Sequence, residues 1–168
     1  MIPFELPDMP VGFMRSVLSA EAAAAFDELT RSNRDDLLVR QSAGAWPNSF
    51  RRSRMIPAVE YIQANRARTL LMQRMAENMQ NIDVYLAPNR GSSNLLITNL
   101  TGHPTVVVPN GFDKLGSPTS ISFVGKLMGE AEVLRVAKAF QDATGFHLRH
   151  PDLDANIQAF REEQGESE

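Results

Sequence analysis

Hydrophobic positions recur at helical spacing in three stretches of the chain. After Pro57, whose fixed φ suits a first helical turn, Val59, Ile62, Ala67, Leu70, Leu71, Met75 and Met79 follow at three-to-four-residue intervals. This spacing predicts the longest helix, over residues 57–80. The alanine-rich run that begins at Ser19 predicts a second helix, with the serine as its cap and Asn33 able to take a left-handed conformation near its end. Val133, Leu134, Ala137 and Phe140 share one face of a third, Glu130–Thr144, which Gly145 stops. A shorter helical piece over residues 35–41 precedes Gly44, Trp46 and Pro47, whose cluster reads as a loop with an aromatic anchor.

Beyond residue 80 the period changes. Residues 83–87 and 105–108 are short apolar runs closed by Pro88 and Pro109, and both read as buried strands. In residues 119–125, Ile121 and Phe123 alternate with serines, predicting a third strand. The turn formers of residues 110–118 join the last two as a hairpin. Pro3, Pro7 and Pro10 leave residues 2–6 at most a short edge strand, because proline donates nothing to a ladder. The expected fold class is α/β: a partial mixed sheet of three to four strands, with the helices of residues 57–80 and 130–144 packed on it.

Length and charge narrow the function classes. A chain of 168 residues holds one core, here assigned to residues 1–153, followed by an acidic C-terminal helix or tail at 154–168 containing Asp154, Glu162, Glu163, Glu166 and Glu168. A net charge of −3 disfavours a nucleic-acid partner, because phosphate binding needs a basic surface. The chain has no cysteine, which removes disulfides and thiolate chemistry. No apolar run approaches the roughly 18 residues of a membrane span, and the opening lacks a secretion signal. The expected setting is cytoplasmic, with no membrane partner.

Four groups of side chains bear on chemistry. Gly91, Ser92 and Ser93 pair a glycine turn with hydroxyls, but a serine nucleophile needs a base in reach, and a helix-capping role competes. Lys126 alone among the three lysines follows a strand, either as a buried base or as an ordinary solvated cation. His147 and His150 lack companion ligands, and Pro151 keeps their segment out of a helix, so no metal site is expected. Arg51, Arg52, Arg54, Arg66, Arg68 and Arg74 read as salt-bridging and packing groups, and Met55, Met72, Met75 and Met79 as core or interface filling.

Three consecutive segments carry a family pattern. Asp83-Val84-Tyr85-Leu86-Ala87-Pro88 is a strand ending in proline. Asn99-Leu100-Thr101-Gly102-His103-Pro104, followed by Thr105-Val106-Val107-Val108-Pro109-Asn110-Gly111-Phe112, sets an asparagine before a glycine and proline and closes a strand with proline-x-glycine. Gly116-Ser117-Pro118 through Gly125 adds a turn and a strand with a final glycine. In this order the chain resembles the C-terminal part of the amidase signature family, and Ala45-Trp46-Pro47-Asn48 and Ile56-Pro57-Ala58-Val59-Glu60-Tyr61 look like one bacterial branch of it.

The resemblance implies a fragment of an amide C–N hydrolase that starts after the catalytic core. That family uses a serine, a second serine in a cis peptide and a lysine, all in segments with no counterpart here. No catalytic residue, cofactor or metal is therefore expected of this piece. Its implied partners are the N-terminal amidase portion or a second copy, with a small amide as substrate only in the assembled enzyme. Asn99, Thr101 and Gly102 supply an amide, a hydroxyl and open backbone ahead of a buried strand, and are expected to border the pocket. A bond from Asn99 to the backbone of a helix end is the competing reading. A non-catalytic pseudo-amidase binding or scaffold module is the alternative function.

Overall fold

A computed structural model describes residues 2–89, 92–154, 157 and 161. The chain forms two compact units, Pro7–Met75 and a second built from Met1–Leu6 and Ala76–Glu168. Within the first, a 3-10 turn at Val11–Met14 runs into α1 (Arg15–Ala25), then α2 (Asp27–Arg31), a 3-10 turn at Arg34–Leu37, α3 (Trp46–Ser53) and most of α4 (Ala58–Asn78).

The alanine-rich helix begins before Ser19, so that serine lies inside α1 and caps nothing. At Phe26 (φ −104°, ψ 23°) the helix breaks into α1 and α2, and the Phe26 ring stacks on Phe50 of α3 at 4.9 Å. Asn33 takes the left-handed conformation at φ 56°. The segment read as a loop around Trp46 is instead the start of α3. Pro47 sits in its first turn, where the missing N–H has no helical partner to lose. Asp35 is fully buried and pairs with Arg51 of α3 at 2.5 Å, while Arg54 pairs with Asp27 of α2. The arginines placed by the structure at these positions tie elements together as expected.

The second unit holds the sheet: β1 (Val84–Pro88), β2 (Thr105–Phe112) and β3 (Pro118–Gly125) in the order β1-β3-β2. Both pairings are antiparallel, where a mixture of directions was expected, and three strands are present among the described residues. The β2–β3 hairpin turns at residues 113–117. There the Asp113 carboxylate accepts from the Leu115 and Ser117 N–H groups at 2.9 Å each, and Gly116 takes φ 74°.

Directly opposed residues of an antiparallel pair share a face, so register assigns the two sides. Phe123, Ile121, Val106, Val108 and Val84 face α6 (Glu130–Thr144), whose Val133, Ala137 and Phe140 complete that core. Burying each large apolar side chain contributes about 1.5–3 kcal/mol. The opposite face carries Tyr85, Ala87, Ser122 and Val124, all buried. Phe4 stacks on Tyr85 at 4.0 Å, and α5 (Asn94–Thr101) reaches the same ring through Asn94. Residues 2–6 form no strand, although Asn78 donates to the Glu5 carbonyl at 2.9 Å.

Three packing expectations are corrected. The long helix is divided at Met75, its Ala58–Met75 part belonging to the N-terminal unit, with Ala64, Leu71 and Met75 buried and Val59, Ile62 and Leu70 exposed. Strand β2 is buried on one face only: Val107 is 49% exposed on the face where Phe4 and Asn94 of α5 cover Tyr85 of β1. Met75 and Met79 are buried in the core, whereas Met55 and Met72 are exposed, and Leu134, expected on the buried face of α6, is exposed as well.

Candidate functional site

Helix α5 and the turn into β2 gather the residues singled out from the sequence. Ser93 is the residue before α5, and the Ser92 hydroxyl accepts from the Asn94 N–H at 3.3 Å, so these serines serve the helix start. Gly91 lies outside the described residues. At the other end of α5, Gly102 takes the left-handed conformation (φ 82°) and donates its N–H to the Thr98 carbonyl at 2.8 Å. A side chain there would be strained, and its Cβ would lie 3.5 Å from Leu127.

Asn99 is exposed on α5, and its amide donates to the Leu95 carbonyl at 2.7 Å, the backbone contact that competes with a pocket role. Thr101 is buried. Its hydroxyl lies 2.8 Å from the Ile97 carbonyl and 2.7 Å from Nδ1 of His103. Burial holds the half-buried His103 below the ordinary histidine pKa. In the sequence His103 stands inside the family pattern with no role of its own, and its local signal is the threonine two residues earlier.

At the N-terminal end of α5, the Tyr85 hydroxyl donates to Oδ1 of Asn94 at 2.7 Å in a buried pair, and burial pushes the phenol above the ordinary tyrosine range. Lys126, the lysine considered as a base, is bonded to the Asp83 carboxylate at 3.0 Å and is part exposed. Lys138 pairs with Asp142 along α6. His147 lies in the 3-10 turn Phe146–Leu148 and His150 is exposed beyond it. No group of three or more metal-ligating side chains occurs among the described residues. None of the described helices is long and apolar enough to cross a membrane.

The unit Pro7–Met75 contributes two cavities that meet at Leu38 and Trp46. One, of about 400 Å³, is lined by Leu18, Ala22, Phe26, Leu29, Leu38, Trp46 and Phe50. The other, of about 430 Å³, lies along residues 38–47. Neither includes Asn99, Thr101 or Gly102.

A small three-stranded sheet with packed helices defines a mixed α/β fold of the kind found in part of solved amidases. A crystal structure of an amidase matches 84% of this chain and 37% of its own length, with a TM-score of 0.68 at 17% identity. No family model matches the chain. In sequence, it is homologous at low identity to proteins of the amidase signature family. It is 30% identical over 112 residues to one of the subunits of the glutamyl-tRNA(Gln) amidotransferase of Nostoc sp., covering 55% of this chain and 23% of that protein. It is 32% identical over 124 residues to an amidase of Pseudomonas putida, covering 59% and 26% respectively. The chain thus spans about a quarter of the length of these curated relatives.

Proposed function

We propose that this chain is a C-terminal segment of an amidase, completing the sheet and one pocket wall of an enzyme that hydrolyses the C–N bond of a carboxamide, without itself being catalytic. One observation carries the reading: more than half of the chain aligns with amidase-type relatives, yet it spans only about a quarter of them. Two physical features support it. Among the described residues the outer strands β1 and β2 each have one unpaired edge, and Val107 leaves apolar surface on β2. The partner is an N-terminal amidase portion or a second copy of this chain, in a cytoplasmic setting and with neither nucleic acid nor membrane. Residues 1–153 form the amidase-like region and 154–168 an acidic tail, most of which lies outside the described residues. Asn99, Thr101 and Gly102 border the pocket of the assembled enzyme, where a small amide is the substrate and no cofactor takes part.

The test is amide turnover by the purified chain. A serine nucleophile needs a base within about 3 Å, and the contacts of Ser92 and Lys126 are instead with the Asn94 N–H and the Asp83 carboxylate, so turnover no faster than the blank is expected. Hydrolysis of a simple aryl amide that is abolished by Ser93→Ala overturns the reading. Asn99→Ala, made in an amidase assembled with this segment, separates the pocket role from a structural one. Lowered kcat/KM at unchanged stability supports the wall, and lowered stability at unchanged kcat/KM rejects it.

A further inference from the structure

At the C-terminal end of α5 the hydrogen-bond arithmetic determines more than the contacts themselves. The Thr101 hydroxyl carries one hydrogen and lies within bonding distance of two groups, the Ile97 carbonyl at 2.8 Å and His103 Nδ1 at 2.7 Å. A backbone carbonyl only accepts, so that contact is a hydrogen bond only when the threonine hydrogen points to Ile97. The hydroxyl then offers lone pairs toward His103, and Nδ1 must be the donor. Thr101 is buried, which leaves its oxygen without water as a substitute partner for either contact.

We propose that Thr101 locks His103 in the neutral Nδ1–H tautomer, so that Nε2 stands unprotonated as the hydrogen-bond acceptor of this helix end for a ligand carrying an N–H or O–H donor. The ring is positioned from both sides in sequence, by the left-handed Gly102 that ends α5 and by Pro104, whose carbonyl accepts from the Gly125 N–H of β3 at 3.0 Å. A histidine held at two backbone anchors and one side-chain bond has little freedom to reorient. Burial of the ring favours the uncharged form, in keeping with the same tautomer. Where the fragment reading of the preceding subsection holds, which this ligand assignment rests on, the donor is the N–H of a carboxamide. His103 then adds an acceptor to the wall that Asn99, Thr101 and Gly102 border, with the Thr101 hydroxyl engaged internally.

Nitrogen NMR tests the tautomer directly. In the uniformly ¹⁵N-labelled full chain at neutral pH, long-range proton–nitrogen correlations, assigned by their loss in His103→Gln, are expected to show a protonated Nδ1 and a bare Nε2. A protonated Nε2 with a bare Nδ1, or a doubly protonated ring, overturns the proposal. Thr101→Ser keeps the pattern, whereas Thr101→Val shifts it to the Nε2–H form that free neutral histidine prefers. An unchanged pattern in a folded Thr101→Val overturns it, and if that variant fails to fold, the wild-type and serine spectra still decide. Diethyl pyrocarbonate, which acylates unprotonated imidazole nitrogen, tests whether Nε2 is available. Peptide mapping is expected to find His103 modified at a rate comparable with exposed His150, and a His103 left intact while His150 reacts overturns the acceptor role. Neither readout depends on amide turnover, so a failed fragment reading leaves the tautomer standing, and a failed tautomer leaves the fragment reading untouched.

Discussion

Asp35 shows how much one side chain can hold. Its carboxylate is completely buried and has the Arg51 guanidinium as its charged partner, which joins the 3-10 turn at Arg34–Leu37 to α3. Removing that cation leaves a buried charge uncompensated. Arg51→Met is therefore expected to cost about 3 kcal/mol, at the lower end of such cases because the guanidinium is itself part exposed. Urea unfolding measures this, and a loss below ~1 kcal/mol would show the pair to be dispensable. Tyr85→Phe leaves Oδ1 of Asn94 without its buried donor, a loss of about 1–3 kcal/mol. Because burial raises the Tyr85 pKa, the unfolded chain releases the phenolic proton first. Wild-type stability should therefore fall as pH rises above about 10, and Tyr85→Phe should flatten that decline. For His103 the sign is reversed. Its folded pKa is lowered, so the unfolded state binds more protons and stability is lost as pH falls below about 6.5 toward the folded value. His103→Gln should remove that component of the acid-side slope in denaturant titrations.

Among elements, the junction of β3 with α6 is the least tolerant of added volume. A Cβ on Gly125 would stand 3.0 Å from the Gly129 carbonyl, 3.2 Å from Val133 Cβ and 3.4 Å from Pro104 Cγ. A Cβ on Gly129 would stand 2.9 Å from the Lys126 carbonyl. Both neighbours at closest approach are backbone, which cannot swing away. Gly125→Ala is expected to destabilise by about 1–3 kcal/mol, read as a lower Tm, whereas Gly44→Ala, with open space around it, should change Tm little. Equal Tm shifts in the two variants would show that crowding at this junction is not what sets the effect.

At the scale of the whole molecule, exposed apolar side chains are the notable feature. In the unit Pro7–Met75, Leu37, Val39 and Trp46 are exposed, Val39 almost completely, next to the cavity lined by Phe26 and Phe50. Surface of this kind favours association. Light scattering across a dilution series is expected to show mass rising with concentration, with binding of a hydrophobic dye falling as it does. Trp46, the only tryptophan, reports on this region directly, and its emission should shift to shorter wavelength on association. A dye-silent monomer at high concentration would count against the fragment reading and favour a self-sufficient binding module.

Local signals determined much of this protein. The period of 3.6 with its glycine stop located Glu130–Thr144, the turn formers placed the β2–β3 hairpin, and Asn33 adopts the left-handed conformation its short polar side chain permits. Asn99, Thr101 and Gly102 lie together at the end of α5 because they are neighbours in the chain. Tertiary structure decided what periodicity cannot carry. An unbroken apolar run such as residues 105–108 reads alike whether one face or two are covered, and only the partners packed on each face, α6 against Val108 on one and Phe4 with α5 against Tyr85 on the other, leave Val107 exposed. Helix α3 was hidden because proline marks a loop and a helical first turn equally well, and its ring contact with Phe26 lies across a sequence gap. The same limit applied to His103. Its role depends on where a threonine hydrogen points, and that is settled by the carbonyl four residues back in a helix, which no pattern of residue types displays.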